Sequence, residues 1–317
     1  MKKALLFLIA FILCMPAGAA QKVKVLLSWL PQSQFAGVYM AQKQGFYQRN
    51  GIEVKIDHAD SNTRVIDELE AGKYDFIVCF CLPALMFAGN GGDIVNICQI
   101  TGCSNIILVT GRQSGIKDKK DLEGKKLSTW DNNEAGLPVK LALAENGIKM
   151  RLYDQNPTNS LFLAGGVDVC SCMTYNEYLN LYYSGIDHKD MHTFRVADMG
   201  VDFPEDAVFC KSSTLNRRKS VCRAFVNATI EGWEYAAKHR DETLDEVVRR
   251  VNASHRRCSR IHMKNMLDTI LQSVFSPDKK WQTGVLSRKQ YRNCAELLKK
   301  NGFIKKIPEY SAFFRGF

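Results

Sequence analysis

Residues 22–56 constrain the fold most strongly, because they pass from one hydrophobic periodicity to another and back. Apolar residues largely alternate with lysines over 22–27, which predicts a strand. Apolar residues then recur at helical spacing over 35–43, and Gly45 stands where a helix often ends in a left-handed glycine. An Asn-Gly turn leads into a second predicted strand at 52–56. This order predicts a β-α-β unit and hence an α/β fold with parallel strands.

The same unit predicts where a ligand would bind, because open α/β sheets bind ligands at the carboxyl ends of their strands. Trp29 and Gln32 directly follow the first strand, and Tyr39 lies on the helix after it. We therefore expect these three residues at a binding cleft. The alternative for Trp29 is an aromatic residue of the hydrophobic core.

The rest of the chain divides into two α/β units, as its length of 317 residues allows. A second β-α-β-α-β unit is predicted between about 110 and 200, after which the chain returns to the first unit and becomes helical. We expect two doubly wound sheets joined by a hinge of two crossing strands. The predicted boundaries are 1–20 for a signal peptide, 21–108 with 206–317 for a discontinuous domain 1, and 109–205 for domain 2.

Short motifs carry a resemblance to a known family. They cover almost the whole mature chain, and their order is more specific than any one of them. The chain resembles periplasmic binding proteins of the thiamine-pyrimidine and taurine/alkanesulfonate group, whose fold is shared by fungal pyrimidine-precursor synthases. The motifs are W-x-P at 29–31, A-G-V-Y-x-A at 36–41, G-F-Y at 45–47, G-I-x-V at 51–54, E-L-E-A-G-K-Y-D-F at 68–76, D-L-E-G-K-K-L at 121–127, M-T-Y-N-E-Y at 173–178 and W-Q-T-G at 281–284.

This resemblance implies the two-lobed type II periplasmic binding protein fold and the solute-binding role in an ABC importer. The implied ligand is a small heterocycle such as a thiamine-precursor aminopyrimidine, with an aliphatic sulfonate or taurine as the alternative. The implied partner is a membrane permease, and we expect a monomer without catalytic activity, cofactor, metal or nucleic acid. A ligand-sensing module for a membrane kinase is a further alternative.

The net charge of +10 and the pI of about 9.0 could indicate a nucleic-acid or membrane-binding protein. Lysines and arginines are spread along the chain, with a mild excess after Arg217, and no nucleic-acid-binding motif accompanies them. We therefore interpret the charge mainly as a solvated surface.

The first twenty residues predict export to the periplasm. Lys2 and Lys3 precede an apolar run that is short for a membrane span, and Ala17-Gly18-Ala19 fits a cleavage site near Ala19-Ala20. A lipoprotein attached through Cys14 is a weaker alternative, because the residues before this cysteine are large. A buried N-terminal helix is the other alternative.

The predicted cleft collects aromatic walls and a few polar groups from both units, a combination that suits a flat heterocycle. Glu177 or Glu205 could accept hydrogen bonds from an exocyclic amino group, whereas the helix start at 132–136 would favour a sulfonate or phosphate. Alternatively, Glu134 and Glu177 only stabilise the first turns of their helices. The candidate ligand-binding residues are Trp29, Gln32, Tyr39, Cys81, Pro83, Trp130, Asn132, Glu134, Tyr175, Asn176, Glu177 and Glu205.

Cysteines and histidines give weaker signals. Ten cysteines follow the predicted signal peptide, and their pairing cannot be deduced from sequence. We expect Cys79 and Cys81 to share one face of a strand without bonding to each other. The pairs His188/His192 and Cys258/His262 have helical spacing, but a polar turn and neighbouring cations argue against structural zinc.

An enzyme is the alternative from a different class. The resemblance implies that the fungal-type synthases consume their own histidine and bind iron through a cysteine-rich run near the return hinge. Here Pro83 stands about where that histidine would be, and only Cys210 lies near the return. Both departures favour a binding protein over an enzyme.

Overall fold

The computed structural model describes residues 20–130, 134–156, 158–278 and 280–317. These residues form ten strands and thirteen α-helices, and the last six helices follow the last strand. The strands are β1 (Gln21–Leu27), β2 (Ile52–His58), β3 (Phe76–Phe80), β4 (Val95–Gln99), β5 (Ile106–Gly111), β6 (Lys126–Thr129), β7 (Arg151–Asp154), β8 (Val169–Met173), β9 (Met191–Arg195) and β10 (Asp206–Cys210). The helices are α1 (Ala36–Lys43), α2 (Phe46–Arg49), α3 (Val65–Glu70), α4 (Cys81–Gly89), α5 (Leu137–Glu145), α6 (Ser160–Leu163), α7 (Glu177–Tyr183), α8 (Ser212–Arg217), α9 (Lys219–Lys238), α10 (Arg240–Ala253), α11 (Arg260–Val274), α12 (Arg288–Lys300) and α13 (Tyr310–Phe313).

The strands form two mixed five-stranded sheets, as an α/β fold with two sheets requires. Sheet 1 has the order β2-β1-β3-β10-β4, and sheet 2 has the order β7-β6-β8-β5-β9. β10 runs antiparallel to both β3 and β4, and β5 runs antiparallel to both β8 and β9. Each sheet therefore contains one strand that enters from the other half of the chain.

Two short segments carry the chain between the sheets. Residues 100–105 lead from β4 to β5, and residues 201–205 lead back to β10. The Ile100 and Thr101 backbone N–H groups both donate to the Asp206 carbonyl, at 2.9 and 3.1 Å, so the segments lie side by side. This arrangement matches the expected pair of crossing strands, while the domain boundaries stay predictions.

The apolar runs mark the strands whose two faces are both covered, including the edge strand β4. β3, β4, β8 and β10 consist almost wholly of buried residues, as strands covered on both faces should. β1 shows the predicted alternation only over its first half, because its carboxyl end is buried on both faces. Gly45 adopts the predicted left-handed conformation, with φ of 72°, after α1.

Helix α9 packs on α1 at very close range. A Cβ atom added to Gly232 would lie 2.1 Å from the Gly37 carbonyl oxygen, so only glycine permits this crossing. Beneath it, Phe225 stacks on Tyr47 and Phe76, with ring centroids 5.3 and 4.4 Å apart. This helix therefore fixes the outer layer of sheet 1.

Three local expectations were wrong or incomplete. Cys81 begins α4 instead of continuing the strand of Cys79, because Pro83 has a backbone conformation suited to a first helical turn. The exposed strand β7 was not predicted, since all four of its residues are exposed and it lacks an apolar pattern. Cys258 precedes α11 and so does not share a helix face with His262.

The described residues lack two further features. None of their helices combines the length and apolarity needed to span a bilayer. They also contain no group of three or more histidine, cysteine, aspartate or glutamate side chains suited to hold a metal ion.

Candidate functional site

The candidate site lies beside the crossing segments, where the ends of strands from the two sheets face each other. β1 is followed by Trp29 and Gln32, and β8 is followed by Tyr175 from the other sheet. β10 begins here with Asp206, directly after Glu205. Burial raises the pKa of Tyr175, and the negative charges of both acids raise it further, which places the three side chains near one another.

Glu205 holds the two crossing segments together. Its Oε1 accepts a 2.6 Å hydrogen bond from the Asn105 backbone N–H, and its Oε2 accepts one of 2.8 Å from Asn105 Nδ2. Burial raises the pKa of Glu205 to about 8, although these hydrogen bonds oppose the rise because they stabilise the charged form. Both carboxylate oxygens are thus engaged within the hinge.

Only one of the two carboxylate oxygens of Asp206 is hydrogen-bonded within the described residues. Its Oδ2 accepts a 2.8 Å hydrogen bond from Gln34 Nε2, and Gln34 Oε1 in turn accepts one of 2.6 Å from Gln32 Nε2. Its Oδ1 is buried and has no hydrogen-bond partner among the described residues. Burial raises the pKa of Asp206 to about 7, opposed by the Gln34 hydrogen bond. This oxygen is therefore a buried acceptor that no described donor satisfies.

Both carboxylate oxygens of Glu177 accept hydrogen bonds from residues of the adjoining turn. Its Oε2 accepts a 2.9 Å hydrogen bond from the Met173 N–H, and its Oε1 accepts one of 2.7 Å from Asn176 Nδ2. Burial raises the pKa of this carboxyl group. The side chain therefore joins the end of β8 to the first turn of α7, in line with the structural alternative considered for it.

Trp29 is half-buried and anchored through its main chain. Its carbonyl oxygen accepts a 2.6 Å hydrogen bond from His58 Nδ1, and the Tyr39 hydroxyl lies 3.1 Å from His58 Nε2. Burial lowers the pKa of His58 to about 4, so at neutral pH its Nε2 accepts from the Tyr39 hydroxyl. Tyr39 itself is fully buried beneath the Arg250 guanidinium, which lies 4.5 Å from the ring centroid. Tyr39 therefore supports the site from the layer behind it.

The two halves are closed on each other in this structure. Trp130 follows β6, is 8% exposed and belongs to the same continuous cluster of buried side chains as Tyr175 and the core of sheet 1. Pro83, Phe203 and Glu205 line a cavity of about 10 Å³ between the halves, which is at the lower limit for one water molecule. A heterocycle can therefore reach the site only if the halves separate.

The remaining candidates lie elsewhere or outside the description. Cys81 donates its backbone N–H to the Glu205 carbonyl, but its thiol is hydrogen-bonded with Asn96 of β4, away from the acids. Asn132 lies outside the described residues. Glu134 begins a 3-10 turn before α5, and only its backbone is described.

Sequence reasoning missed Gln34 and His58, and it did not include Asp206 among the candidate ligand-binding residues. The signal for Asp206 was available, since two adjacent acids directly precede the apolar strand A-V-F-C. A charge at the edge of a buried strand requires a compensating partner. His58 gave no such signal, because only the fold brings it to Trp29.

Comparison with known proteins agrees with this architecture. An NMT1/THI5-like family model matches residues 32–243. A Haemophilus influenzae protein named for thiamine biosynthesis is 23% identical over 316 residues, covering 96% of each chain. A formylaminopyrimidine-binding protein of Halalkalibacterium halodurans is 20% identical over 236 residues, covering 72% of this chain and 70% of that protein.

The chain is also similar to an enzyme and to a solved binding protein. The 4-amino-5-hydroxymethyl-2-methylpyrimidine phosphate synthase of Schizosaccharomyces pombe is 26% identical over 109 residues, or 34% of this chain and 32% of that enzyme. The solved alkanesulfonate-binding protein of Xanthomonas axonopodis superposes with a TM-score of 0.68 at 12% identity, covering 95% of this chain and 100% of that one. The chain has the periplasmic binding protein fold found in solute-binding proteins of ABC importers. Since the family model spans more than half of its length, the chain belongs to the NMT1/THI5-like family.

Proposed function

We propose that this chain is the solute-binding component of an ABC importer and holds a small aminopyrimidine between its two sheets. The fold supports the binding role, and relatives named for thiamine biosynthesis and formylaminopyrimidine binding support the class of ligand. In this role the chain is exported to the periplasm as a monomer and delivers its ligand to a membrane permease.

The open Oδ1 of Asp206 carries the proposal. A buried carboxylate oxygen without a partner is costly, and an exocyclic amino group or a protonated ring nitrogen would satisfy it. Trp29, Trp130 and Tyr175 each follow a strand end, after β1, β6 and β8, and would offer aromatic faces to a flat ring held there. Such a ligand would contribute a donor to the Asp206 oxygen that lacks one.

The acidity of the cleft argues against a sulfonate. Glu205 and Asp206 are adjacent and buried, and both have raised pKa values because burial disfavours their charged forms. A sulfonate would bring a permanent negative charge to the same poorly solvated place, where it would repel these groups in their charged forms, and it carries no donor for the unpartnered Asp206 oxygen. A neutral or cationic aminopyrimidine meets no such repulsion.

Ligand binding and closure would occur together. The small cavity between the closed halves implies that a ligand enters an open form and is then enclosed by rotation about residues 100–105 and 201–205. The permease would recognise the closed form. We assign no catalytic step to these residues, because the position expected for a consumed histidine holds Pro83, a wall residue of the cavity.

A binding screen tests this proposal. The mature protein is unfolded and refolded to remove any copurified ligand, then titrated with hydroxymethyl- and formylaminomethyl-aminopyrimidines, thiamine, taurine and alkanesulfonates. A bound compound at about 100 times its dissociation constant should add about 2.7 kcal/mol to the free energy of unfolding. We expect this shift with an aminopyrimidine and none with the sulfonates.

The Asp206→Asn variant links the ligand to the site. It should weaken aminopyrimidine binding at least tenfold, or about 1.4 kcal/mol, as measured by isothermal titration calorimetry. Asp190→Asn, at an exposed position in the 3-10 turn before β9, serves as the matched control and should bind as the wild type does. A sulfonate hit, or an aminopyrimidine whose affinity is unchanged in Asp206→Asn, would refute the assignment.

A further inference from the structure

Helix α11 spans the distance between the hinge and the opposite half of the molecule. Near its carboxyl end, Ser273 Oγ donates a 2.8 Å hydrogen bond to Asn105 Oδ1 in the first crossing segment. At its amino end it packs on α7, which belongs to sheet 2. It is also fastened to the sheet 1 half, because Ser33 Oγ donates to the Met263 carbonyl at 2.6 Å.

His262 makes the first contact between α11 and α7. Its Nε2 lies 2.9 Å from Asn176 Oδ1, which can only accept, so Nε2 carries the proton. The same Asn176 amide donates through Nδ2 to Glu177 Oε1, at 2.7 Å. The imidazole therefore selects the orientation of the amide, and the amide holds the carboxylate that shapes the turn after β8.

A second contact lies one helical turn away on α11. Asn265 Nδ2 donates a 2.6 Å hydrogen bond to the Tyr183 hydroxyl at the end of α7. The Tyr183 ring also meets the His262 ring edge to face, with centroids 5.7 Å apart. The two contacts together form a cross-half patch, which we call the α7–α11 clasp (Asn176, Tyr183, His262 and Asn265).

We propose that His262 is a positioning residue of the binding cleft, which orients Asn176 and, with the rest of the clasp, fastens the two halves when they close. The proposal rests on the proposed function for its ligand. His262 does not need to touch that ligand, because its effect passes through Asn176 to the Tyr175–Glu177 turn.

The clasp lies far from the hinge, so rotation about the hinge displaces it strongly. His262 is eleven residues before Ser273 on the same helix, or about 16 Å from the hinge contact. Rotation about the crossing segments moves this distant end farthest, so opening breaks the clasp while the Ser273–Asn105 contact stays near the pivot. Loss of the clasp should therefore speed ligand release more than it slows association.

The test compares His262→Leu, which removes the donor, with His262→Gln, whose amide nitrogen is the same number of bonds from the main chain. Aminopyrimidine affinity is measured by calorimetry and release by stopped-flow fluorescence. We expect His262→Leu to bind at least tenfold more weakly through faster release, and His262→Gln to stay within about threefold of the wild type. His192→Leu, on β9, is the control and should leave both quantities unchanged.

A readout without ligand separates this proposal from the proposed function. Amide hydrogen exchange over residues 174–183 should quicken in ligand-free His262→Leu but not in His262→Gln or His192→Leu. If no aminopyrimidine binds the wild type, the proposed function fails and exchange alone decides the role of His262. The proposal is overturned if His262→Leu behaves as the wild type does. It is also overturned if His262→Leu and His262→Gln weaken binding and speed exchange to the same extent.

A milder variant covers the case in which His262→Leu does not fold. Tyr183→Phe removes only the hydroxyl group of an exposed residue, and this variant should release the ligand two- to fivefold faster. Without a ligand, it should speed exchange over 177–183. Unchanged behaviour in this variant would count against the clasp.

Discussion

At the scale of single residues, adjacent acids have separate roles. Glu205 gives both oxygens to Asn105 and the hinge, whereas Asp206 gives one oxygen to Gln34 and leaves the other open. Glu177 resembles Glu205 in that its oxygens are used within the protein. The number of hydrogen bonds that each carboxylate accepts, and not its acidity, distinguishes the proposed ligand contact, Asp206, from the structural carboxylates Glu177 and Glu205.

The raised pKa of Asp206 predicts a pH dependence of stability. Burial raises it from 3.8 to about 7, so between pH 4 and 7 the folded protein holds a proton that the unfolded chain has lost. This contribution lowers the free energy of unfolding as pH rises, and the penalty is complete above pH 7. The free energy of unfolding of Asp206→Asn, relative to that of the wild type, should rise by on the order of 3 kcal/mol between pH 4 and pH 8. Urea unfolding at both pH values measures it, and a constant difference would contradict it.

At the scale of elements, the crossing of α1 and α9 is set by glycine. A Cβ atom at Gly232 would meet the Gly37 carbonyl oxygen at 2.1 Å and the Ala41 Cβ at 2.8 Å. Neither neighbour is the end of a flexible side chain. The helices would have to separate, and the aromatic stack beneath α9 would lose contact with them.

Gly232→Ala should therefore lower the free energy of unfolding by about 3 kcal/mol or more, the upper range for overpacking a core. Gly111→Ala is the matched control, because no atom lies within 4 Å of its added Cβ and its backbone is not left-handed. That variant should stay within about 0.5 kcal/mol of wild type. Urea denaturation of the two variants would test the difference, and similar values would argue against a strict steric limit.

At the scale of the whole molecule, the hinge is a network and not a flexible linker. Asn105 joins three parts of the chain, because its side chain contacts Glu205, Thr174 and Ser273. The Trp281 ring lies directly on Gly102 in the first crossing segment, where an added Cβ would meet it at 2.0 Å. The carboxyl-terminal segment thus restrains the hinge from outside.

Asn105→Ala should loosen this hinge. It leaves a buried carboxylate oxygen of Glu205 without one donor, which costs about 2 kcal/mol of stability at neutral pH. Small-angle scattering should also show a larger radius of gyration for the ligand-free variant, because the closed arrangement loses a shared anchor. Asn62→Ala, on an exposed turn, is the control. An unchanged radius and stability would show that Asn105 does not hold the halves together.

Much of the fold follows from local patterns. The sequence allows the prediction of elements whose pattern depends only on neighbouring residues. These are the alternation at β1, the apolar runs at β3 and β8, and the helical spacing of α11. The exposed strand β7 could not be predicted in this way, because pairing with β6 and not its own pattern makes it a strand. Ordered motifs along the chain supplied the family.

The candidate site, like the fold, could be predicted from the sequence only in part. Sequence alone indicated aromatic and acidic residues at strand ends, because a β-α-β pattern places strand ends together. Only the tertiary structure decided that Asp206 keeps a free oxygen, that Glu177 and Glu205 do not, and that His262 reaches Asn176 across 86 positions. A hydrogen bond between distant segments leaves no periodic trace in the sequence, since it depends on how two separately formed sheets are brought together.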